Sequence, residues 1–362
     1  MVGRAVVVGA GISGLAVGRA LLAAGWEVEL RERAHGLPEA GTALGMWPEA
    51  LAALDALGVG DRVRHAGAVQ HGAAFLRPDG TEIAAVRTPA PAVLLSRPAL
   101  HRFLWEGKLE DAVRWGDPLE DLAELTGTDM SDADLVVGAD GIHSRLRSVV
   151  AGQEVRPREL RVTAFRGTVP GPVETTCETW GPGRLFGVTP QESGMANWFA
   201  AVRDDLLDEC SGLPDDELLS TLFGDWHPGV RDVVALAGSA GIDRRRIFDL
   251  PPLRSWHRGR VVILGDAAHA MAPNIGRGAC EAIIDAVVLA EALSVSATVE
   301  AGLRVFDRRR RRAAQRVVRA SRLLSRVSTA RRLPETRRRA LRVVAGLVSS
   351  SLRREGERSG HP

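Results

Sequence analysis

The sequence predicts an α/β protein in which a doubly wound parallel sheet is interrupted by antiparallel strands and closed by basic helices. Three observations carry that prediction. Apolar runs near both ends, Arg4–Val8 and Gly259–Leu264, each lead into a glycine-rich turn and then a helical pattern, as buried parallel strands of a nucleotide-binding sheet do. Between them lie short strand patterns with hairpin punctuation. Residues 303–362 hold 19 Arg against 4 acidic residues, so this end carries +15 and the first 302 residues −13 of the net +2.

The 362 residues suffice for two or three domains, and 45% hydrophobic with 25% charged residues excludes a disordered or collagen-like chain. An acidic body excludes a general nucleic-acid surface. Three distant cysteines, Cys177, Cys210 and Cys280, make neither a disulfide framework nor a paired zinc site, so no metal is expected and a reducing, cytoplasmic setting is. The first 25 residues superficially resemble a secretory signal, but Gly9, Gly11, Gly14 and Gly18 interrupt them. There is no Tyr, and Lys108 is the single Lys, which excludes phenolic acid–base chemistry.

The first strand runs into Gly9-Ala10-Gly11-Ile12-Ser13-Gly14, then a helix to about Ala24 and a second strand, Glu27 to Arg31, ending at Glu32. This is a dinucleotide fingerprint: glycines for the tight turn, for close approach to a pyrophosphate and for helix–strand packing, with an acid placed for ribose hydroxyls. It does not choose between NAD and FAD. Near the far end, Gly265-Asp266-Ala267-Ala268-His269 follows the strand Gly259–Leu264, with Pro273, Gly276 and Gly278 before a helix from Ala279 to about Leu293. An acid at the carboxyl end of a parallel strand stands where such sheets bind ligands; Asp266 is equally suited to cap a helix.

The segment from Gly265 to Cys280 resembles the second FAD-binding motif of the single-component (group A) flavoprotein monooxygenases. Asp134 to Ser144, containing Asp140-Gly141, resembles the motif that separates them from other FAD proteins. Leu95 to Leu100 resembles the segment whose Arg reaches the cofactor, and Gly41 to Ala50 the loop beside the flavin ring. The resemblance spans about residues 4 to 326 and lies nearest a zeaxanthin epoxidase and salicylate hydroxylase branch, with a para-hydroxybenzoate hydroxylase-like fold. It implies a glutathione-reductase-type Rossmann FAD domain with an inserted antiparallel β-sheet substrate domain and C-terminal helices. The expected boundaries are 1–66, 92–158 and 240–300 for the FAD domain, 67–91 and 159–239 for the sheet domain, and 301–362 for the basic helices.

By the resemblance, Glu32 would hold the adenosine ribose, Arg97 the ribityl-pyrophosphate region and Asp266 the ribityl chain. Pro273 would lie against the flavin, with the backbone of Gly276, Gly278 and Ala279 at its pyrimidine edge. Asp140 would link the pyrophosphate region to nicotinamide use. The whole candidate cofactor set is Gly9, Gly11, Ser13, Gly14, Glu32, Arg33, Arg97, Asp140, Gly265, Asp266, Pro273, Gly276, Gly278 and Ala279. Ordinary roles stay open: a surface ion pair for Arg97, a turn acid for Asp140, a satisfied core histidine for His269.

Arg277 and Cys280 depart from the Gln and Asn common in the family, and Arg277 would either face the active site, attracting an anionic substrate or the nicotinamide phosphates, or lie in solvent. The connection from Leu119 to Asp132 is too short for the family's three-stranded meander. The middle strands, Val69 to Val86 turned at Arg77–Gly80 and then Arg161–Val169, Glu174–Trp180, Arg184–Thr189 and Met195–Val202, form the expected sheet domain. No catalytic residue is certain there; Arg166 and Trp198, with Pro273, are the pocket candidates.

The implied enzyme holds FAD non-covalently and takes electrons from transiently bound NADPH or NADH. It hydroxylates or epoxidises a small aromatic or alkene substrate with O2 through a C4a-(hydro)peroxyflavin. The other readings are an FAD oxidase or dehydrogenase of the same fold and a flavin-binding protein without turnover. No nucleic-acid partner is expected. A helix from Arg308 and a second from about Thr336 to Leu352 give the tail either a solvated basic face or weak contact with an anionic membrane surface.

Overall fold

The computed structural model describes residues 3–119, 132–173 and 176–331. The helix expected over 336–352 and most of the short connection after Leu119 lie outside them. The strands, in chain order, are β1 (Arg4–Val8), β2 (Glu27–Glu32), β3 (Ala43–Met46), β4 (Ala68–Leu76), β5 (Glu82–Ser96), β6 (Val113–Trp115), β7 (Leu135–Gly138), β8 (Arg158–Pro170), β9 (Thr176–Gly181), β10 (Arg184–Pro190), β11 (Met195–Arg203), β12 (Asp243–Asp249), β13 (His257–Arg258) and β14 (Val261–Ile263). The chain divides into two compact units: residues 1–67, 93–160 and 248–322, and residues 68–92, 161–247 and 323–362.

Unit 1 is built on a six-stranded sheet of order β13-β14-β7-β1-β2-β6, parallel except for the β13–β14 pair. Ala5 to Val8, Leu135 to Gly138 and Val261 to Ile263 are buried throughout, the consequence of helices on both faces. The helix Ile12–Ala23 starts directly after β1, and the helix Gly278–Ser294 packs against it. The long helix Val299–Ser328 buries Leu303, Phe306, Arg310, Ala314 and Val318 in unit 1, a stripe at helical spacing, and turns Arg308, Arg309, Arg312, Arg316 and Arg319 to solvent. Residues 301–322, expected among the C-terminal basic helices, cluster with unit 1.

Unit 2 carries the strand order β12-β8-β11-β10-β9-β4-β5, and the last residues of β5 pair with β3 in unit 1. The pairs β8–β11–β10–β9 are antiparallel, whereas β4 joins β9 in parallel. The β4–β5 hairpin turns at Arg77–Gly80: Gly80 has φ +85° and the Asp79 carboxylate accepts the Thr81 N–H at 2.9 Å. Residues 240–247, expected in the nucleotide domain, cluster with unit 2 because β12 pairs with β8 at the sheet edge. One sheet face packs Phe165, Phe186 and Trp198 against Phe223 and Trp226, on and just after the helix Asp215–Phe223, and Val230 and Val234 of the helix Pro228–Ala240.

Candidate cofactor and active site

All the residues expected to hold a cofactor fall in unit 1. At the first turn, Gly9 has φ +100° and a Cβ there would meet the Ala139 carbonyl oxygen at 2.5 Å, so only glycine fits between β1 and β7. Gly14 lets helix and strand touch: its Cβ would lie 1.7 Å from the Gly9 carbonyl oxygen. Gly11 is different, with nothing within 4 Å of an added Cβ. It caps the helix Ile12–Ala23 without a side-chain hydrogen bond, so the first N–H groups of that helix point into this open space. Glu32 ends β2 and accepts the Ala10 N–H at 2.7 Å and the Ala34 N–H at 2.9 Å, tying the acid to the turn; Arg33 beside it is exposed.

At the second turn Gly265 has φ +58°, and a Cβ there would reach the Ser13 hydroxyl oxygen at 2.1 Å. Two motifs about 250 residues apart are thus in contact. Asp266 is exposed at the carboxyl end of β14 and makes no side-chain cap, which leaves its carboxylate to the crevice and removes the helix-cap reading. Pro273 and Gly276 are exposed; Gly276, with φ +66°, has only the Trp47 indole nitrogen near its Cβ position, at 4.0 Å, and Gly278 has nothing within 4 Å. The helix Gly278–Ser294 begins here, also without a side-chain cap, with Ala279 in its first turn. Arg97 is exposed in the first turn of the helix Arg97–Trp105, and a Cβ on Gly41 would touch its side chain at 3.0 Å. Asp140 Oδ2 accepts the Arg145 and Leu146 N–H groups at 2.7 and 3.3 Å, a turn acid, yet its buried Oδ1 has no partner among the described residues.

Behind this cradle runs a chain of charges. Arg277, Glu281 and Asp285 recur at four-residue spacing on one face of their helix. Arg277 bonds Glu281 at 3.1 Å and Glu49 at 3.4 Å; Arg310 bonds Glu281 at 2.6 Å and Asp285 at 2.7 Å; Asp285 Oδ2 lies 2.6 Å from His269 Nε2 and accepts the Gly265 N–H at 3.1 Å. Arg277 therefore does not lie free in solvent: it is paired with two carboxylates. Burial works to lower the His269 pKa, but the Asp285 carboxylate outweighs it and raises the imidazole above its usual value. Burial would raise Asp285, and Arg310 and His269 bring it below the usual carboxylate range instead. Cys280 donates to the Gly45 carbonyl at 3.1 Å, and burial pushes its thiol up to about 12, so it is inert packing.

In unit 2, cross-strand register puts Arg166 beside Phe199 and Trp198 beside Gly167, so the two pocket candidates point to opposite faces. Trp198 is fully buried and stacked 5.7 Å from Phe186, a core residue and not a cavity wall. Arg166 pairs with Asp243 at 2.9 Å. Two titratable residues were not singled out from sequence. Glu178 shares the face of Phe199 across Gly187, and burial pushes its carboxyl up to about 7. His101, one turn after Arg97, is held neutral by burial and the nearby Arg97 charge, with its pKa down to about 4. Strand alternation alone places Glu178; nothing local marks its burial. Among the described residues no cluster of metal-ligating side chains occurs and no helix is long and apolar enough to cross a membrane.

A family model described as "FAD binding domain" matches residues 4–117 and 119–321. The chain is 36% identical over 320 residues, 82% of each chain, to aurachin C monooxygenase/isomerase of Stigmatella aurantiaca. It is 35% identical to 3-amino-4-hydroxybenzoate 2-monooxygenase of Streptomyces cremeus, covering 79% of this chain and 77% of the relative. Klebsiella pneumoniae HpxO, solved with FAD and uric acid, superposes with a TM-score of 0.82 at 25% identity, over 96% of this chain and 92% of that one. The chain belongs to the group A FAD-dependent monooxygenases. Its cofactor is FAD, and the residues around the two glycine turns fit it: three glycines leave room where a side chain would fill the cradle, and an unsatisfied carboxylate oxygen of Asp140 lies beside the first turn.

Proposed function

We propose that the protein inserts one oxygen atom of O2 into a small planar aromatic substrate, with NADPH or NADH as reductant. Bound FAD supplies the chemistry of accepting hydride and activating oxygen. The chain binds and orients it. The Gly11 turn and the N-terminus of Ile12–Ala23 receive the pyrophosphate, Glu32 the adenosine ribose and Asp266 a ribityl hydroxyl. The N-terminal N–H groups of Gly278–Ser294 face the pyrimidine edge, where the positive end of the helix dipole stabilises negative charge on the reduced ring. Pro273 provides an apolar surface that excludes water from the reacting edge. Arg97 supports the pyrophosphate side.

The observation that carries this reading is the cradle itself: a Cβ on Gly11 or Gly278 would meet no atom within 4 Å, and one on Gly276 only the Trp47 indole nitrogen at 4.0 Å, beside the starts of two helices without side-chain caps. Only one dinucleotide turn of this kind is present in the sequence, which supports transient use of the nicotinamide. The relatives named for aurachin C and for 3-amino-4-hydroxybenzoate, and the neighbour holding uric acid, support an aromatic substrate. The test is direct. The purified protein is yellow, denaturation releases FAD, and NADPH oxidation accelerates when the right hydroxylated aromatic ring is added. Protein that stays colourless after FAD is supplied contradicts the reading.

A further inference from the structure

A pocket of about 250 Å³ lies in unit 1 among the long helix, the segment Leu250–Pro252 and the His269 end of the second turn. None of its lining residues belongs to the cofactor cradle. Its lining is two-natured: Leu250, Ala268 and Val318 are buried and apolar, while Arg158, Arg319 and Arg322 are cationic. The charges do not cancel. Arg158 and Arg322 both pair with the single carboxylate of Asp249, and Arg319 is exposed with no ion pair among the described residues. The wall therefore holds a positive excess of about two charges, in a setting where part of the water is excluded.

His269 adds a second and independent observation. It lines the same pocket, is 1% exposed, and its Nδ1 has no partner among the described residues while Nε2 is held by Asp285. Asp285 raises the His269 pKa, which favours the form of the ring with an N–H on both nitrogens. A buried donor left unmade is unfavourable. An anionic acceptor at this wall satisfies it.

We propose that this pocket binds a small amphiphilic carboxylate, its anionic head on Arg319 and the His269 Nδ1–H, its apolar body against Leu250 and Val318. The apolar lining favours a monoanion with a hydrocarbon body over an inorganic polyanion. The volume lies below the ~300–1,000 Å³ of pockets for drug-sized ligands, which limits the occupant to one short chain or one ring. Through Nε2, Asp285 and the Gly265 N–H, His269 is hydrogen-bonded to the turn that carries Asp266.

The probe is 4-bromobenzoate, titrated calorimetrically into the FAD-loaded protein and located by bromine anomalous density in crystals. Bromine density against Leu250 and Val318, at the end of the ring away from Arg319, is the expected result. Arg319→Glu weakens binding at least ~10-fold, Arg319→Lys keeps it within ~3-fold, and 4-bromobenzyl alcohol binds at least ~10-fold more weakly than the acid. Arg319 is exposed, so both variants fold, and their FAD content and melting temperature confirm it. Density elsewhere, binding unchanged in Arg319→Glu, or no heat of binding at the solubility limit overturns the proposal. None of these outcomes bears on whether the protein is an oxygenase.

Discussion

The two glycine turns of unit 1 do the same job by different means. Each follows a parallel strand, opens into a helix, and has a backbone N–H held by a carboxylate: Ala10 by Glu32, Gly265 by Asp285. Glu32 is half-buried and retains access to solvent, so it needs no protein cation. Asp285 is fully buried and is neutralised by Arg310 and His269, which recruit Glu281, Arg277 and Glu49 in turn. The first turn thus rests on backbone packing with an acid that keeps access to solvent. The second turn rests on a buried ionic chain, in which removal of one member exposes the next to an uncompensated charge.

Breaking the first turn has the largest expected effect. Gly14→Val drives side-chain atoms into the Gly9 carbonyl, and a loss of more than ~4 kcal/mol leaves no folded, FAD-containing protein; soluble yield and flavin content measure it. Arg310→Met, close in volume, takes the shared cation from two buried carboxylates, leaving Glu281 to Arg277 and Asp285 to His269, and lowers stability by ~3–5 kcal/mol in urea unfolding. If the two turns were built alike, Arg310→Met would be nearly silent.

Smaller changes sharpen the contrast. Asp266→Ala removes one charge-assisted hydrogen bond of ~1.5–3 kcal/mol and weakens FAD affinity ~10- to ~100-fold, with the melting temperature of the apoprotein unchanged. Glu32→Ala weakens FAD comparably but also lowers apoprotein stability, because the Ala10 N–H loses its acceptor. Equal apoprotein stability in the two variants contradicts the distinction.

The pH dependence is the smallest effect. His269 has a folded pKa above its usual 6.5, so its contribution is complete below that value and is lost as pH rises through the raised pKa. Asp285, lowered from 3.8, contributes above that value and loses its contribution as pH falls through the depressed pKa. As pH rises above about 6.5 and through the raised pKa, the wild-type protein loses stability relative to His269→Gln, by ~1.4 kcal/mol for each unit by which the folded pKa exceeds the unfolded one. A constant difference across that range removes protonated His269 from the account.

These contrasts also mark what was legible in the sequence. Strand, turn, helix and acid at Arg4 to Glu32 are local, and the fingerprint reads directly because its residues are neighbours in the chain. The second turn was equally local, and its glycines pointed to the cradle. Its ionic chain was not legible, since Arg277 meets Glu49 across 228 residues and Asp285 meets Arg310 on another helix. Arg277 therefore read as facing substrate or solvent. Trp198 read as a pocket candidate because an aromatic strand residue has two faces, and the core side is settled by helices contributed later in the chain.

The central claim, that this cradle serves oxygen insertion, is tested most directly by turnover under ¹⁸O₂. The FAD-loaded protein is mixed with NADPH and hydroxylated aromatic compounds, and the products are weighed by mass spectrometry while hydrogen peroxide is counted. The account predicts a product carrying one ¹⁸O atom, with the second leaving as water and little peroxide formed. Unlabelled compounds with one peroxide per NADPH, for every ring that accelerates NADPH oxidation, would contradict it.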